Sequence, residues 1–361
     1  MRLAVASAIF TAATCLLVAS GCASGESSTA ADATNSGTTM AASGSTVSAS
    51  PTSTAPASPS AAPAGPGCSL AAGSAGAPGS ADAAPQQPGT TVQQTYQSGG
   101  RDHTYEFYIP TSYRADAPTP LVVAFHGSGI NGAAHLAFTS LRADADAHGY
   151  LVAAPNGDGP FTWFAAGASM TDPKPDTALI DALLGDVAAR ACVDQTRRYA
   201  QGFSAGSGLI FALLCQPERQ FAAYGGVSFA LPVSQCPDTP PAPLIYFHGT
   251  ADSSASYQGA SFGSFTIPPA PQIMSDWAAH NGCPAPPSET LVGSVQRQRW
   301  SNCTSGDDVQ FYSIPGGGHT WPGGDPQIAA AIEAAFGATT TDVAATPLMW
   351  EFFSRYQSSG P

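Results

Sequence analysis

Apolar positions along the chain switch repeatedly between two periods. Leu121-Val122-Val123-Ala124-Phe125 and Tyr150-Leu151-Val152-Ala153-Ala154 are apolar on both faces, as strands are inside a parallel sheet covered by helices on each side. Thr104-Tyr105-Glu106-Phe107-Tyr108-Ile109-Pro110 alternates and predicts an earlier, half-buried strand. Between and after these runs the spacing becomes helical. Ala133 to His148 predicts one helix, and Asp176-Thr177 caps another whose Leu179, Ile180, Leu183, Leu184, Val187 and Ala188 share a face. Arg198-Tyr199-Ala200-Gln201, Tyr224 to Phe229, Pro243 to Phe247 and Gln310 to Ile314 predict further strands. The alternation predicts an α/β class fold: a doubly wound, mostly parallel sheet with helices on both faces and sites at the carboxyl ends of its strands.

The N-terminal quarter lacks this pattern. Met1 to Gly21 has Arg2 and then an apolar segment through Leu16-Leu17-Val18, too short for a comfortable membrane span, and reads as a secretory signal. It ends in Ala19-Ser20-Gly21-Cys22, small residues before a cysteine, so Cys22 is the expected lipidation site of an exported lipoprotein, and several acyl chains on it would anchor the protein. Residues 22–67 are Ser, Thr, Ala, Gly and Pro with almost no large apolar residue, and read as a disordered tether. The catalytic domain is expected at 68–357, with no polymer-binding domain after it because the chain ends soon after Tyr356.

Charge and cysteines narrow the classes. A net charge of −13, with Lys174 the only lysine, argues against a nucleic-acid partner and against electrostatic membrane binding. Cys68, Cys192, Cys215, Cys236, Cys283 and Cys303 lie beyond the leader and suggest three disulfides in an exported protein, with fifteen connectivities open. A monomer is expected.

The candidate chemistry sits where strands end. Gly202-Phe203-Ser204-Ala205-Gly206 has the form of a nucleophile elbow, with a strand-like segment before it and an apolar helical run after it. Ser204 is the candidate nucleophile. Gly259-Ala260-Ser261-Phe262-Gly263 has the same form but leads into Pro268-Pro269, so Ser261 is expected to be a loop serine. Asp252 follows the strand that ends in His248-Gly249 and is the favoured acid over Asp238, Asp276, Asp307 and Asp308. His319, in a glycine-rich loop after the last strand, completes the order Ser, Asp, His. A strand ending in His126-Gly127 makes the Ser128 N–H, beside that of Ala205, the candidate oxyanion hole. Trp163 and Trp321 are candidates for stacking on a substrate. Asp144, Asp146 and His148 read as a solvated helix end, and no metal is expected.

Together, His126-Gly127, the elbow, His248-Gly249-Thr250-Ala251-Asp252, Trp277-Ala278-Ala279-His280-Asn281-Gly282-Cys283 and Gly317-Gly318-His319-Thr320-Trp321-Pro322-Gly323 resemble the polyhydroxybutyrate depolymerase and feruloyl esterase group of carbohydrate esterases, which includes actinobacterial lipoprotein esterases. The likeness runs from Cys68 to Tyr356. It implies an α/β-hydrolase fold, a triad of Ser204, Asp252 and His319, no cofactor, and the pairs Cys68–Cys192, Cys215–Cys236 and Cys283–Cys303. Ser207 stands where relatives often have glycine, and Ser128 where depolymerase-like members often have cysteine. The implied substrate is an ester linked to a polymer: a feruloylated polysaccharide or a polyester, with an acetylated polysaccharide behind them. A binding module that has kept the fold without catalysis is the reading from another class.

Overall fold

The doubly apolar runs become the middle of a ten-stranded sheet. The computed structural model describes residues 67–68, 87–157, 163, 174–262 and 265–358. The leader, Cys22 and all of the tether but Gly67 lie outside them. Six strands run parallel at the centre, in the order β4 (Leu151–Pro155), β3 (Thr119–Phe125), β5 (Val193–Phe203), β6 (Ala223–Val227), β7 (Leu244–Gly249) and β12 (Val309–Ile314). Antiparallel strands close both edges: β2 (Arg101–Ile109) and β1 (Thr90–Ser98) beyond β4, and β11 (Val295–Trp300) and β10 (Ser288–Val292) beyond β12. This is an α/β-hydrolase sheet.

Each face of the sheet carries its own core. On β3, Leu121, Val123 and Phe125 pack with α3 (Thr177–Arg190), α4 (Ala205–Leu214) and α5 (Ala270–His280). Val122 and Ala124 face the opposite way, toward α1 (Gly132–Phe138), α2 (Leu141–His148) and α7 (Ala345–Phe353). Burying each large apolar side chain is worth about 1.5–3 kcal/mol, so a strand used on both faces anchors both layers. Among the described residues three disulfides form, Cys68–Cys192, Cys215–Cys236 and Cys283–Cys303, as the resemblance implied.

Two expectations change. The helix expected over Ala133 to His148 is two helices, because Ser140 adopts a left-handed backbone (φ 56°) between them while the Thr139 hydroxyl turns back onto the His135 carbonyl at 2.7 Å. Ser261 is not in a loop: it lies on β8 (Ala260–Phe262), which pairs with β9 (Phe265–Ile267) in a separate two-stranded ribbon. Asp144 and Asp146 accept from the hydroxyls of Tyr150 and Tyr108 at 2.7 Å each, tying α2 to the sheet.

The order of strands positions the site. From β3 the chain moves outward through α1 and α2 to β4, then returns through α3 to β5 on the other side of β3. The carboxyl ends of β3 and β5 are therefore neighbours, with Phe125 opposite Gly202, and the connections leaving them diverge. In α/β sheets such a switch point, outside the carboxyl ends of the strands, is where ligands bind.

Candidate active site

Ser204 sits at the turn between β5 and α4 with φ 53° and ψ −116°, a strained conformation for a residue with a side chain. Its N–H donates to Val227 O at 2.9 Å, and its carbonyl receives the Gly208 N–H at 2.9 Å to start α4. The flanking glycines are required by backbone contact. A Cβ on Gly202 would lie 2.2 Å from Gly206 O, and one on Gly206 would lie 2.1 Å from Phe125 O. Ser207 fills the space over Gly226 and donates to Phe229 O at 2.6 Å, so a serine is accommodated at this position.

The structure brings Ser204, His319 and Asp252 together. Ser204 Oγ is 2.9 Å from His319 Nε2, and His319 Nδ1 is 2.8 Å from Asp252 Oδ2. The histidine loop and the aspartate loop are stitched to each other: Thr250 N–H donates to Ile314 O, Ala251 N–H to Gly317 O, and Gly316 N–H to the Thr250 hydroxyl. The His319 N–H donates to Phe336 O at 2.6 Å, at the end of α6 (Pro326–Phe336), and its ring packs on Phe203 with centroids 5.0 Å apart. His319 and Asp252 are buried, and the Asp252 carboxylate accepts the Ser254 and Ala255 N–H groups on Oδ1 at 2.9 and 2.8 Å. Burial alone would raise the Asp252 pKa, but the nearby His248 Nε2–H together with the hydrogen bonds to His319 and the Ala255 N–H outweigh it and hold the carboxyl well below the usual carboxylate range. Of the other acids, Asp276 accepts from Gln272 and Asp308 from Arg299.

Ala205, one oxyanion candidate, opens α4 directly after Ser204, and the peptide that carries the other, the Ser128 N–H, follows Gly127. A Cβ on Gly127 would lie 3.1 Å from Ser204 Cβ, so the loop after β3 passes directly against Ser204. His126 accepts the Gly157 N–H on Nε2 at 3.0 Å, which leaves its proton on Nδ1 to donate to Gly127 O at 2.8 Å. That carbonyl belongs to the same planar peptide as the Ser128 N–H, so the imidazole fixes the plane of both. Burial lowers the His126 pKa and favours the neutral ring this role needs.

Neither tryptophan offers a face to a substrate. Trp163 is 2% exposed, donates from its indole nitrogen to His126 O at 3.1 Å and packs edge-on against the His126 ring. Trp321 is fully buried and donates to the Thr346 hydroxyl at 3.0 Å. Both indoles buttress loops of the site from behind, because each finds its polar partner inside the protein. The opposite omission is His248, which contacts Asp252 and which the sequence shows only as part of a motif. Its signal was the spacing His248-Gly249-Thr250-Ala251-Asp252, which returns a turn onto the strand it leaves. A cavity of about 90 Å³ lies against His248, lined by Phe229, Tyr246, Ala255, Ile267 and Ile273 among others. Among the described residues no cluster of three or more metal-ligating side chains occurs.

No protein-family model matches the chain. Feruloyl esterase C of Emericella nidulans is 30% identical over 247 residues, which are 64% of this chain and 82% of that protein. The chain belongs to the feruloyl esterase family. Feruloyl esterase B of Piromyces equi is 29% identical over 225 residues, 58% of this chain, and this chain spans only 41% of that relative's length. Among solved structures, the acetyl xylan esterase from Aspergillus awamori aligns over 63% of this chain and 94% of its own, at 16% identity and a TM-score of 0.48.

Proposed function

We propose that this protein is a serine carboxylesterase that cleaves hydroxycinnamoyl (feruloyl) esters of polysaccharide through Ser204, His319 and Asp252. The observation that carries the reading is the hydrogen-bonded chain from the Ser204 hydroxyl through His319 to the buried Asp252 carboxylate, at 2.9 and 2.8 Å. In this mechanism His319 takes the proton of Ser204 as the oxygen attacks the ester carbonyl, and Asp252 fixes the tautomer and stabilises the imidazolium. The Ser128 and Ala205 N–H groups bind the developing oxyanion, each worth about 3 kcal/mol of barrier. The pinned Gly127–Ser128 peptide and the start of α4 at Ala205 support that assignment. His319 then returns the proton to the leaving alcohol, and water releases the acyl group by the same steps. The acyl class rests on membership of the feruloyl esterase family, to which the Emericella nidulans relative links the chain.

Export is supported by the three disulfides, since such bonds persist in oxidising compartments. Attachment through a lipidated Cys22 is part of the same proposal and rests on the leader sequence.

The test is initial rates of the residue 68–361 chain on methyl ferulate, a short p-nitrophenyl ester series and a polyhydroxybutyrate suspension, with Ser204→Ala as control. Preference for methyl ferulate is the expected result. Clearing of the polymer would make the protein a polyester depolymerase, and absence of any Ser204-dependent rate would leave a binding module. Mass spectrometry of the membrane fraction tests the anchor: an unmodified Cys22 in the mature protein would remove it.

A further inference from the structure

The acid at the end of the proposed relay is held by more than the relay. Asp252 Oδ2, which faces His319 Nδ1, also lies 3.4 Å from Nε2 of His248, four residues earlier at the end of β7. His248 is itself buried, and its partners fix its tautomer. Nε2 is 2.8 Å from Ala255 O, which can only accept, so Nε2 carries the proton. Nδ1 then holds a lone pair and accepts the Tyr246 O–H at 2.8 Å. Tyr246 is buried, and burial together with Asp252 and Tyr257 keeps its phenol protonated and able to donate.

These bonds form a closed ring. Ala255 donates its N–H to Asp252 Oδ1 and accepts the His248 proton on its carbonyl, while the same His248 nitrogen flanks Asp252 Oδ2. The turn from Asp252 to Ala255 is thereby tied to a central strand, and the carboxylate plane is set so that Oδ2 meets His319. We infer that His248 is a positioning residue for the catalytic acid, locked in one tautomer by Tyr246 and orienting Asp252 toward His319. The inference rests on the proposed roles of Ser204, His319 and Asp252.

The groups facing His248 are Asp252 and His319 from the two loops, Tyr246 from its own strand, and Tyr257, whose ring lies 5.6 Å away. The protonation states assigned here give a definite pH consequence. Withdrawing the His248 proton leaves more negative charge on Oδ2, which holds the His319 imidazolium more tightly. The acid limb of activity then moves to higher pH.

The test uses the full chain with His248→Ala, His248→Gln and Tyr246→Phe. Two readouts are followed across pH 5 to 9: the second-order rate of Ser204 phosphonylation by a fluorophosphonate, which does not depend on the natural ester, and kcat and KM on p-nitrophenyl acetate. His248→Ala is expected to lower both rates by about 10- to 100-fold with KM changed less than about threefold, and to move the acid limb upward. His248→Gln places an amide N–H near Nε2 and is expected to recover activity to within about fivefold of the parent, whereas Tyr246→Phe costs roughly two- to fivefold by releasing the tautomer. Wild-type rates in folded His248→Ala would overturn the inference alone. So would equal losses in the Ala and Gln variants with an unmoved acid limb, because that pattern belongs to a residue that only supports the fold. A parent protein whose Ser204 is not phosphonylated would overturn the catalytic reading, and the inference with it.

Discussion

The chain contains two segments of the form Gly-x-Ser-x-Gly, and they fold differently. Gly202 to Gly206 joins the end of a central strand to the start of a helix, and Ser204 takes φ 53° because strand and helix meet there with no room for a longer turn. In Gly259 to Gly263, Ser261 lies exposed on β8, its hydroxyl 3.2 Å from that of Thr266 on the paired strand. The residues beyond the pattern make the difference. After the first comes Leu209-Ile210-Phe211-Ala212-Leu213-Leu214, which is buried and can only be a helix packed on the sheet. After the second the chain doubles back as β9 and reaches Pro268-Pro269, so no helix forms until Ala270. A nucleophile elbow is a property of the packing around five residues, and the five letters alone do not specify it.

The largest expected effects come from removing chemistry at the first segment. Ser204→Ala is expected to lower kcat by about 10⁴-fold or more on any ester the parent cleaves, with an unchanged melting temperature. Asp252→Asn follows at about 10⁴-fold in kcat, because an amide N–H facing His319 selects the wrong tautomer. Initial rates beside a melting curve check both. A Ser204→Ala protein with parental kcat would make the two serines equivalent and dissolve the comparison.

Next comes packing. Gly206→Ala is expected to destabilise the fold by about 3 kcal/mol, measured by urea unfolding, because its Cβ would strike the Phe125 carbonyl of β3. A pH series sharpens the contrast further, since a titratable group is buried behind the first segment. His135 on α1 is fully buried edge-on to Trp321, which in turn packs on Phe203, and neither of its ring nitrogens has a hydrogen-bond partner. Burial, helped by His126, lowers its pKa to about 3. Between that value and the ordinary 6.5 the unfolded chain binds the proton and the folded chain does not. Stability from this residue is therefore complete above about pH 6.5 and is lost as the pH falls toward 3, on the order of 5 kcal/mol in all. His135→Leu is expected to flatten that slope in unfolding experiments at pH 7, 5 and 4, and an unchanged slope would place the acid sensitivity elsewhere.

Much of this was legible in the sequence, for physical reasons. β3 and β4 announce themselves because both faces are buried, and the order of Ser204, Asp252 and His319 follows from where strands end. Other elements are silent. β1 buries chiefly Tyr96 among polar residues, and β10 is exposed along most of its length, so neither carries a pattern that separates it from a loop. β5 starts five residues before the predicted Arg198, because Asp194 is satisfied internally by Thr196 and Arg197 and so a polar stretch can enter the sheet. The orientation of the tryptophans is not legible, because composition near a site does not say which way an indole turns; Thr346, Trp321's partner, is distant in sequence. His248 was visible as a letter, but its role depends on a turn folding back on its own strand.

The smallest effect is the one that tests the comparison from the other side. Ser261→Ala removes an exposed hydroxyl from a hydroxyl–hydroxyl contact of 3.2 Å on the surface of a two-stranded ribbon. Such a bond exchanges with water at almost no net gain, and alanine leaves no buried group unsatisfied. Stability is therefore expected to change by less than about 0.5 kcal/mol and kcat/KM by less than about twofold. Labelling sharpens the result: with a fluorophosphonate, adduct should form on Ser204 in both the parent and Ser261→Ala, and on neither serine in Ser204→Ala. Ser261 also lies beside Ala260 and Gly259, which line the cavity against His248. A loss of kcat/KM in Ser261→Ala with an intact Ser204 adduct would therefore place the ribbon in substrate contact, and the second segment would then serve the first instead of merely sharing its letters.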